Sequence, residues 1–192
     1  GMGNAELLDR HFGEEKVLAA VCFISLNRIA PAHVLNQFRG YLSLAEYKNP
    51  PSERTAYLRH LFEDAGERCD ELQSLEETLW RKLCWNIPFN GLTILAGGVP
   101  TDRIVASDKL LEEVRALMKE VVQAAREYGY IIPEDFLEKQ ISVTRKMGAY
   151  HPSSLVDFLA GRPLELESIW GEPLRRAQKK NCPCPKLEML YH

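Results

Sequence analysis

Long apolar runs are what this sequence most plainly lacks. The longest, such as Val17 to Leu26, fall short of the ~20 residues a bilayer core requires, and no basic-then-apolar layout marks a secretory signal at the N-terminus. A membrane is therefore not an expected partner, and the cytoplasm is the expected compartment. Runs of lysine and arginine are missing too. A formal net charge of -3 leaves no positive surplus to hold a phosphate backbone, which removes nucleic acid from the expected partners. Cysteine is scarce and badly spaced for metal. Cys22, Cys69, Cys84, Cys182 and Cys184 are odd in number and mostly scattered, and the single residue inside Cys182-Pro183-Cys184 is fewer than the roughly two to four that zinc pairs use. His11, His33, His60, His151 and His192 are isolated. Ordinary reduced thiols and no metal are the expectation.

What is present suffices for one substantial core, or a core with a small appendage, since 45% of the residues are apolar and 27% charged. Ala5 to Phe12 patterns as a short amphipathic helix. Val17 to Ile24 and Tyr41 to Leu44 read as strands, with Arg39-Gly40 as a turn before the second. Lys48-Asn49-Pro50-Pro51-Ser52 then breaks the pattern, because two consecutive prolines can neither continue a ladder nor sit inside a helix. That break divides residues 1–47 from residues 52–192.

Helical signals follow one another after it. Ser52 opens a segment with Tyr57, Leu58, Leu61 and Phe62 on one side, ending near Gly66. Ser74-Leu75-Glu76-Glu77 is a capping box that starts a helix toward Gly91. Ser107 starts another, with Leu111, Val114, Met118, Val121, Ala125 and Tyr128 at helical spacing and Gly129 as its stop. Pro133 begins a fourth that runs to about Met147, and shorter ones are expected over 154–159 and 164–180. Gly1-Met2 reads as a tag remnant ahead of a start methionine, which leaves the first helix and strands without an earlier strand to lean on. Two or three strands alone make a marginal sheet.

Chemistry concentrates between Arg81 and Gly91. On a helix, Lys82, Asn86 and Asn90 stand four apart and line one stripe, bordered by Leu79, Leu83 and Ile87 on one side and by Trp85 and Phe89 on the other. Asparagine is a mediocre helix former, so two of them beside a lysine on a walled stripe suggest a site lined with donors. The competing reading is that Lys82 snorkels to water while the asparagines satisfy loop carbonyls. Pro88 removes the hydrogen bond to the Cys84 carbonyl and introduces a local break.

The run Lys82-Leu-Cys-Trp-Asn86-Ile-Pro-Phe-Asn90-Gly-Leu-Thr resembles the K-L-x-x-N-x-x-x-N-x-L-[ST] segment of ketopantoate reductases. Pro152-Ser153-Ser154-Leu155-Val156-Asp157 through Gly161-Arg162-Pro163-Leu164-Glu165-Leu166 is similar to that family's second segment, P-S-M-x-x-D-x-x-x-G-R-P-x-E-[IL]. Gly3-Asn4-Ala5-Glu6, Val21 to Ser25 and Cys184-Pro185-Lys186-Leu187 extend the resemblance over nearly the whole chain. It implies a mainly α fold, a helical C-terminal domain similar to the 6-phosphogluconate dehydrogenase C-terminal-like fold. A small α/β remnant of a Rossmann-type NADP-binding domain would precede it.

The same resemblance implies NADPH as cofactor, a small-molecule 2-keto acid as substrate and a homodimer as the candidate assembly. It makes Lys82 the general acid toward the ketone oxygen, where hydride addition builds negative charge. It makes Asn86, Asn90 and Ser153 substrate-binding residues and places Glu165 at the cofactor. Each has a structural alternative: Ser153 or Ser154 as a helix cap with Asp157 completing the pair, and Glu165 as a first-turn carboxylate after Pro163. Tyr150 stands where some members carry an asparagine that touches substrate, so the identity of the keto acid stays open. The family's G-x-G-x-x-G loop is not in the sequence, and Gly97-Gly98 reads as a turn. Two expectations of different class follow. One is the substrate and catalytic half of a reductase, inactive as this isolated chain. The other is a noncatalytic helical module that self-associates or binds a partner through an uncovered strand edge.

Overall fold

The computed structural model describes the backbone of residues 1–192 and the side chains of all but Ser25, Asn27, Gln37, Phe38 and Arg39. Helix dominates it, as expected. The chain divides into two compact units, one of Asn4–Thr78 and one of Leu79–His192 together with Gly1–Gly3. This division falls later than the proline break, because the helix and strand that follow the prolines belong with the earlier strands.

In the smaller unit, α1 (Asn4–Phe12) leads to a long antiparallel hairpin of β1 (Leu18–Ala30) and β2 (His33–Glu46). The strands pair from Leu18 opposite Glu46 to Ala30 opposite His33, so the turn is Pro31-Ala32, with Ala32 at φ 57°. Arg39-Gly40 is therefore inside β2, not at a turn. Phe23 pairs with Tyr41 and Ser25 with Phe38, which puts one extra residue on β2 there, a bulge. A Cβ on Gly40 would lie 1.7 Å from the Phe23 carbonyl oxygen, so only glycine permits this approach. Ser52 caps α2 (Glu53–Asp64) in a reciprocal box with Thr55. A three-residue strand, β3 (Cys69–Glu71), which has no sequence signature of its own, then pairs parallel to Leu42–Leu44 of β2.

The larger unit is helical throughout. Ser74 caps α3 (Leu75–Leu95), its Oγ accepting from the Glu77 N–H at 3.2 Å, and the helix continues past Gly91 to Leu95. A glycine suits position 91 of this helix because α9 (Pro185–Tyr191) lies against it: a Cβ there would come within 2.5 Å of the Leu190 side chain. Between them run α4 (Thr101–Ala106), α5 (Asp108–Arg126), α6 (Glu134–Lys146), α7 (Ser153–Leu159) and α8 (Glu172–Lys179). Ser107 and Pro133 begin α5 and α6 as read from sequence, whereas α4 and α9 are too short to show a period.

The core of this unit gathers Trp80, Leu83, Ile87 and Phe89 of α3 with Val114, Met118 and Val121 of α5 and Ile169, Trp170 and Leu187. Burying side chains of this size stabilises the fold by roughly 1.5–3 kcal/mol each before entropy is counted. Met2 belongs to the same core and is 1% exposed, which the reading of Gly1-Met2 as a tag remnant does not anticipate. Among the described residues no helix is long and apolar enough to cross a membrane, and no group of three or more His, Cys, Asp or Glu side chains could hold a metal. Among the described residues no cysteine is in a disulfide; burial pushes the Cys84 and Cys184 thiols up to about 12, so neither is a ready nucleophile.

Candidate functional site

The helical unit holds all five residues singled out in the sequence. Lys82, Asn86 and Asn90 lie on α3, spaced four apart along one stripe as the period requires. Leu83 and Ile87 are buried on one side of the stripe and Phe89 on the other, while Lys82 and Asn86 are half-buried. The aromatic border is held in place: Trp85 donates its Nε1–H to Thr144 Oγ1 at 2.8 Å, stacks on Phe89 with centroids 5.1 Å apart, and stands 6.1 Å from the Tyr150 ring. On the opposite side, Trp170 Nε1 donates to the Ile87 carbonyl at 3.2 Å. The stripe is thus a polar line between fixed apolar walls, where a charge is weakly screened.

Asn90 is the deepest member, 1% exposed. Its Nδ2 donates to the Asn86 carbonyl at 3.0 Å, and its Oδ1 accepts the Ser154 N–H at 3.0 Å. The α3 stripe is thereby tied to the first turn of α7, next to Ser153. The capping alternative for the two serines does not hold: Pro152 is the N-cap residue, no side chain of its own caps the helix, and Ser153 and Ser154 are its first two helical residues. Ser153 is exposed and Ser154 buried, so the two hydroxyls face different surroundings. Asp157 pairs with Arg162 at 2.7 Å instead of completing a capping box.

Glu165 is exposed and stands ahead of the helical segment, not in its first turn; its carbonyl accepts the Ile169 N–H at 3.1 Å. A π-helical turn, Glu167–Gly171, separates it from α8. Such turns widen a helix by one residue and recur at functional sites. Glu165 and Lys82 both act on the Gly1 amine, whose pKa burial lowers, with Glu165 opposing that shift and Lys82 adding to it. Sequence reading missed this segment, although glycines flanking a lone apolar residue carry a signal: Gly3 takes φ 94°, and a Cβ on Gly1 would meet the Ser168 carbonyl oxygen at 2.2 Å.

An ammonium with amide side chains along the same helix face, tied through Asn90 to the helix start that carries Ser153, can receive a small anion bearing a polarised oxygen. Lys82 can supply a proton to that oxygen.

The chain is similar in sequence and fold to known proteins. A family described as "Ketopantoate reductase PanE/ApbA C terminal" matches residues 74–192. The chain is 32% identical over 197 residues to a 2-dehydropantoate 2-reductase of Nostoc sp., covering 100% of this chain and 61% of that protein. Among solved structures, 2-dehydropantoate 2-reductase from Geobacter metallireducens GS-15 superposes with TM-score 0.96 at 35% identity, over 100% of this chain and 64% of that one. The enzyme of the same name from Methylococcus capsulatus gives 0.92 at 34%, over 100% and 61%. This chain therefore spans about three fifths of the length of the relatives it matches.

Proposed function

Because this chain belongs to the ketopantoate reductase family, we propose that it forms the substrate-binding and proton-donating part of a cytoplasmic 2-dehydropantoate 2-reductase, which converts ketopantoate to pantoate on the route to pantothenate and coenzyme A. The observation that carries the reading is the Lys82-Asn86-Asn90 stripe joined through the Asn90–Ser154 hydrogen bond to the Ser153 turn, inside the segment that the family model matches.

In this reading the Lys82 ammonium faces the ketone oxygen. It stabilises the charge that develops there and then gives up a proton to form the alcohol. Asn86 and Ser153 hold the substrate's oxygens, the Ser153 hydroxyl being assigned to the carboxylate. Asn90 belongs to the same substrate-binding set as its buried support, joined to the Ser153 turn through Ser154, and Glu165 is assigned to the border of substrate and cofactor. A homodimer is the proposed assembly.

The reductant is proposed to be NADPH, which supplies the hydride. The residues present do not fit its pyrophosphate. That group needs free backbone N–H groups at the positive end of a helix, whereas Gly97-Gly98 follows the carbonyl end of α3. Their N–H groups are taken by the Ile94 and Thr93 carbonyls at 3.0 and 3.1 Å. This 192-residue polypeptide alone is accordingly proposed to be inactive, with residues 1–47 contributing the last elements of a cofactor domain.

The test is turnover of the complete gene product with NADPH and ketopantoate. Lys82→Ala lowers kcat about 10²-fold or more if Lys82 is the acid. Unchanged turnover removes Lys82 from that role.

A further inference from the structure

We propose that Asn90 is a positioning residue that sets Ser153 by capping α7 from a different helix; the inference rests on the reductase reading above. The argument begins with α7, seven residues long and introduced by Pro152, whose side chain cannot accept a hydrogen bond. A helix this short is not stable by itself, and its first N–H groups need acceptors from outside. The Ser154 N–H is buried where water cannot serve it. Left unpaired, such a donor costs free energy comparable to a lost hydrogen bond.

Asn90 Oδ1 meets that need at 3.0 Å. The other end of the carboxamide fixes which atom points where: Nδ2 donates to the Asn86 carbonyl at 3.0 Å, so the oxygen must face Ser154. Local backbone is braced as well, since the Thr93 hydroxyl bonds the Phe89 and Asn90 carbonyls at 2.7 and 3.1 Å. One rigid amide therefore spans from the Asn86 turn of α3 to the peptide that joins Ser153 to Ser154. With 1% of its surface exposed, Asn90 has little access to a ligand of its own and acts through Ser153.

Two measurements test this together. In the 192-residue chain without ligand, Asn90→Ala speeds amide hydrogen exchange at Ser154 by about tenfold or more, and Asn90→Asp, which keeps an oxygen for the Ser154 N–H, restores protection. In the complete reductase, Asn90→Ala raises KM for the keto acid about tenfold, the worth of one good hydrogen bond, while kcat falls less and KM for the reduced cofactor is unchanged; Asn90→Asp recovers most of that loss.

Ser153→Ala raises the same KM without altering Ser154 exchange, and Asn90→Ala added to Ser153→Ala raises it little further. Additive effects of the two substitutions, or unchanged exchange at Ser154 in Asn90→Ala, overturn the inference. If the unsubstituted reductase does not turn over any 2-keto acid, the functional reading itself fails, and the assignment of Ser153 with it. That result differs from additivity measured in an active enzyme.

Discussion

The Met2 N–H donates to the Ser168 carbonyl at 2.9 Å, and it can do so because the helix leaves that carbonyl without a partner. In the π-helical turn the Glu172 N–H reaches back to Glu167, and the next residue that could serve Ser168 is Pro173, which has no N–H. The Gly1–Gly3 segment supplies the missing donor. Its glycines allow the close approach to Ser168 and the left-handed turn after it, and the Met2 side chain sits in the core beside them.

Met2→Ala is expected to destabilise the helical unit by about 2–4 kcal/mol, through lost burial and the cavity left behind. Met2→Leu is expected to cost under about 1.5 kcal/mol, since the volume is nearly kept. Urea unfolding followed by tryptophan fluorescence reads both, because Trp80 and Trp170 share that core. Equal midpoints for Met2→Ala and the unsubstituted chain would show that Met2 is not a core residue.

A second anchor holds the end of the chain. The two carboxylate oxygens of Glu120, on α5, accept the Lys186 and Leu187 N–H groups at 3.0 and 2.9 Å. These are donors of the first turn of α9, which opens with Pro185 and has no side-chain cap of its own. A carboxylate there satisfies two orphan donors and opposes the positive end of the helix. Glu120→Ala is expected to lower stability by about 1–2 kcal/mol and to release the Leu187 amide to rapid exchange. Glu120→Gln keeps one acceptor, loses the charge and falls between the two. Retained Leu187 protection in Glu120→Ala would assign the anchoring of α9 to Leu187 packing alone.

How far this could be read from the sequence depended on where the information sits. Ser52, Ser74 and Ser107 each declare a helix start within a few residues, and the α3 stripe follows from period alone, so these were legible. The hairpin was read with its turn at the wrong place. Arg39-Gly40 has turn composition, yet its glycine answers to the Phe23 carbonyl across the bulge, and the real turn, Pro31-Ala32, forces an alanine to positive φ and lacks the usual asparagine or glycine.

The strand β3 and the helices α4 and α9 were not legible. Their stability comes from long-range partners, such as β2 for β3 and Glu120 for α9. The same applies within the site. Residue types and spacing named Lys82, Asn86 and Asn90, and the family resemblance added Ser153 and Glu165, but nothing local reveals that Asn90 faces Ser154, 64 residues away.

Glu46 gives the smaller unit a sign-definite response to acid. Its carboxylate is 5% exposed, accepts Ser52 Oγ at 2.5 Å and Arg54 Nε at 3.1 Å, and makes a second contact with the Arg54 guanidinium. The Arg54 hydrogen bonds hold its carboxyl below the usual carboxylate range, against burial, which raises it, and with help from Ser52. A carboxyl whose folded pKa is depressed contributes stability that is fully present above the unfolded value, roughly 4.3. That contribution is lost as pH falls through the lower, folded value. Glu46→Gln is therefore expected to be less stable than the unsubstituted chain at neutral pH by about 1–2 kcal/mol, a modest figure because Arg54 is itself partly exposed. The gap should begin to narrow as the pH falls below the unfolded value and close once it passes the lower, folded one, where the native carboxyl takes up its own proton and resembles the amide. Urea midpoints for the two proteins, measured at neutral pH and in steps below it, check the sign. A gap that stays constant down to acid pH would mean that Glu46 acts by shape and hydrogen bonding alone, and one that widens would reverse the assigned direction of its pKa.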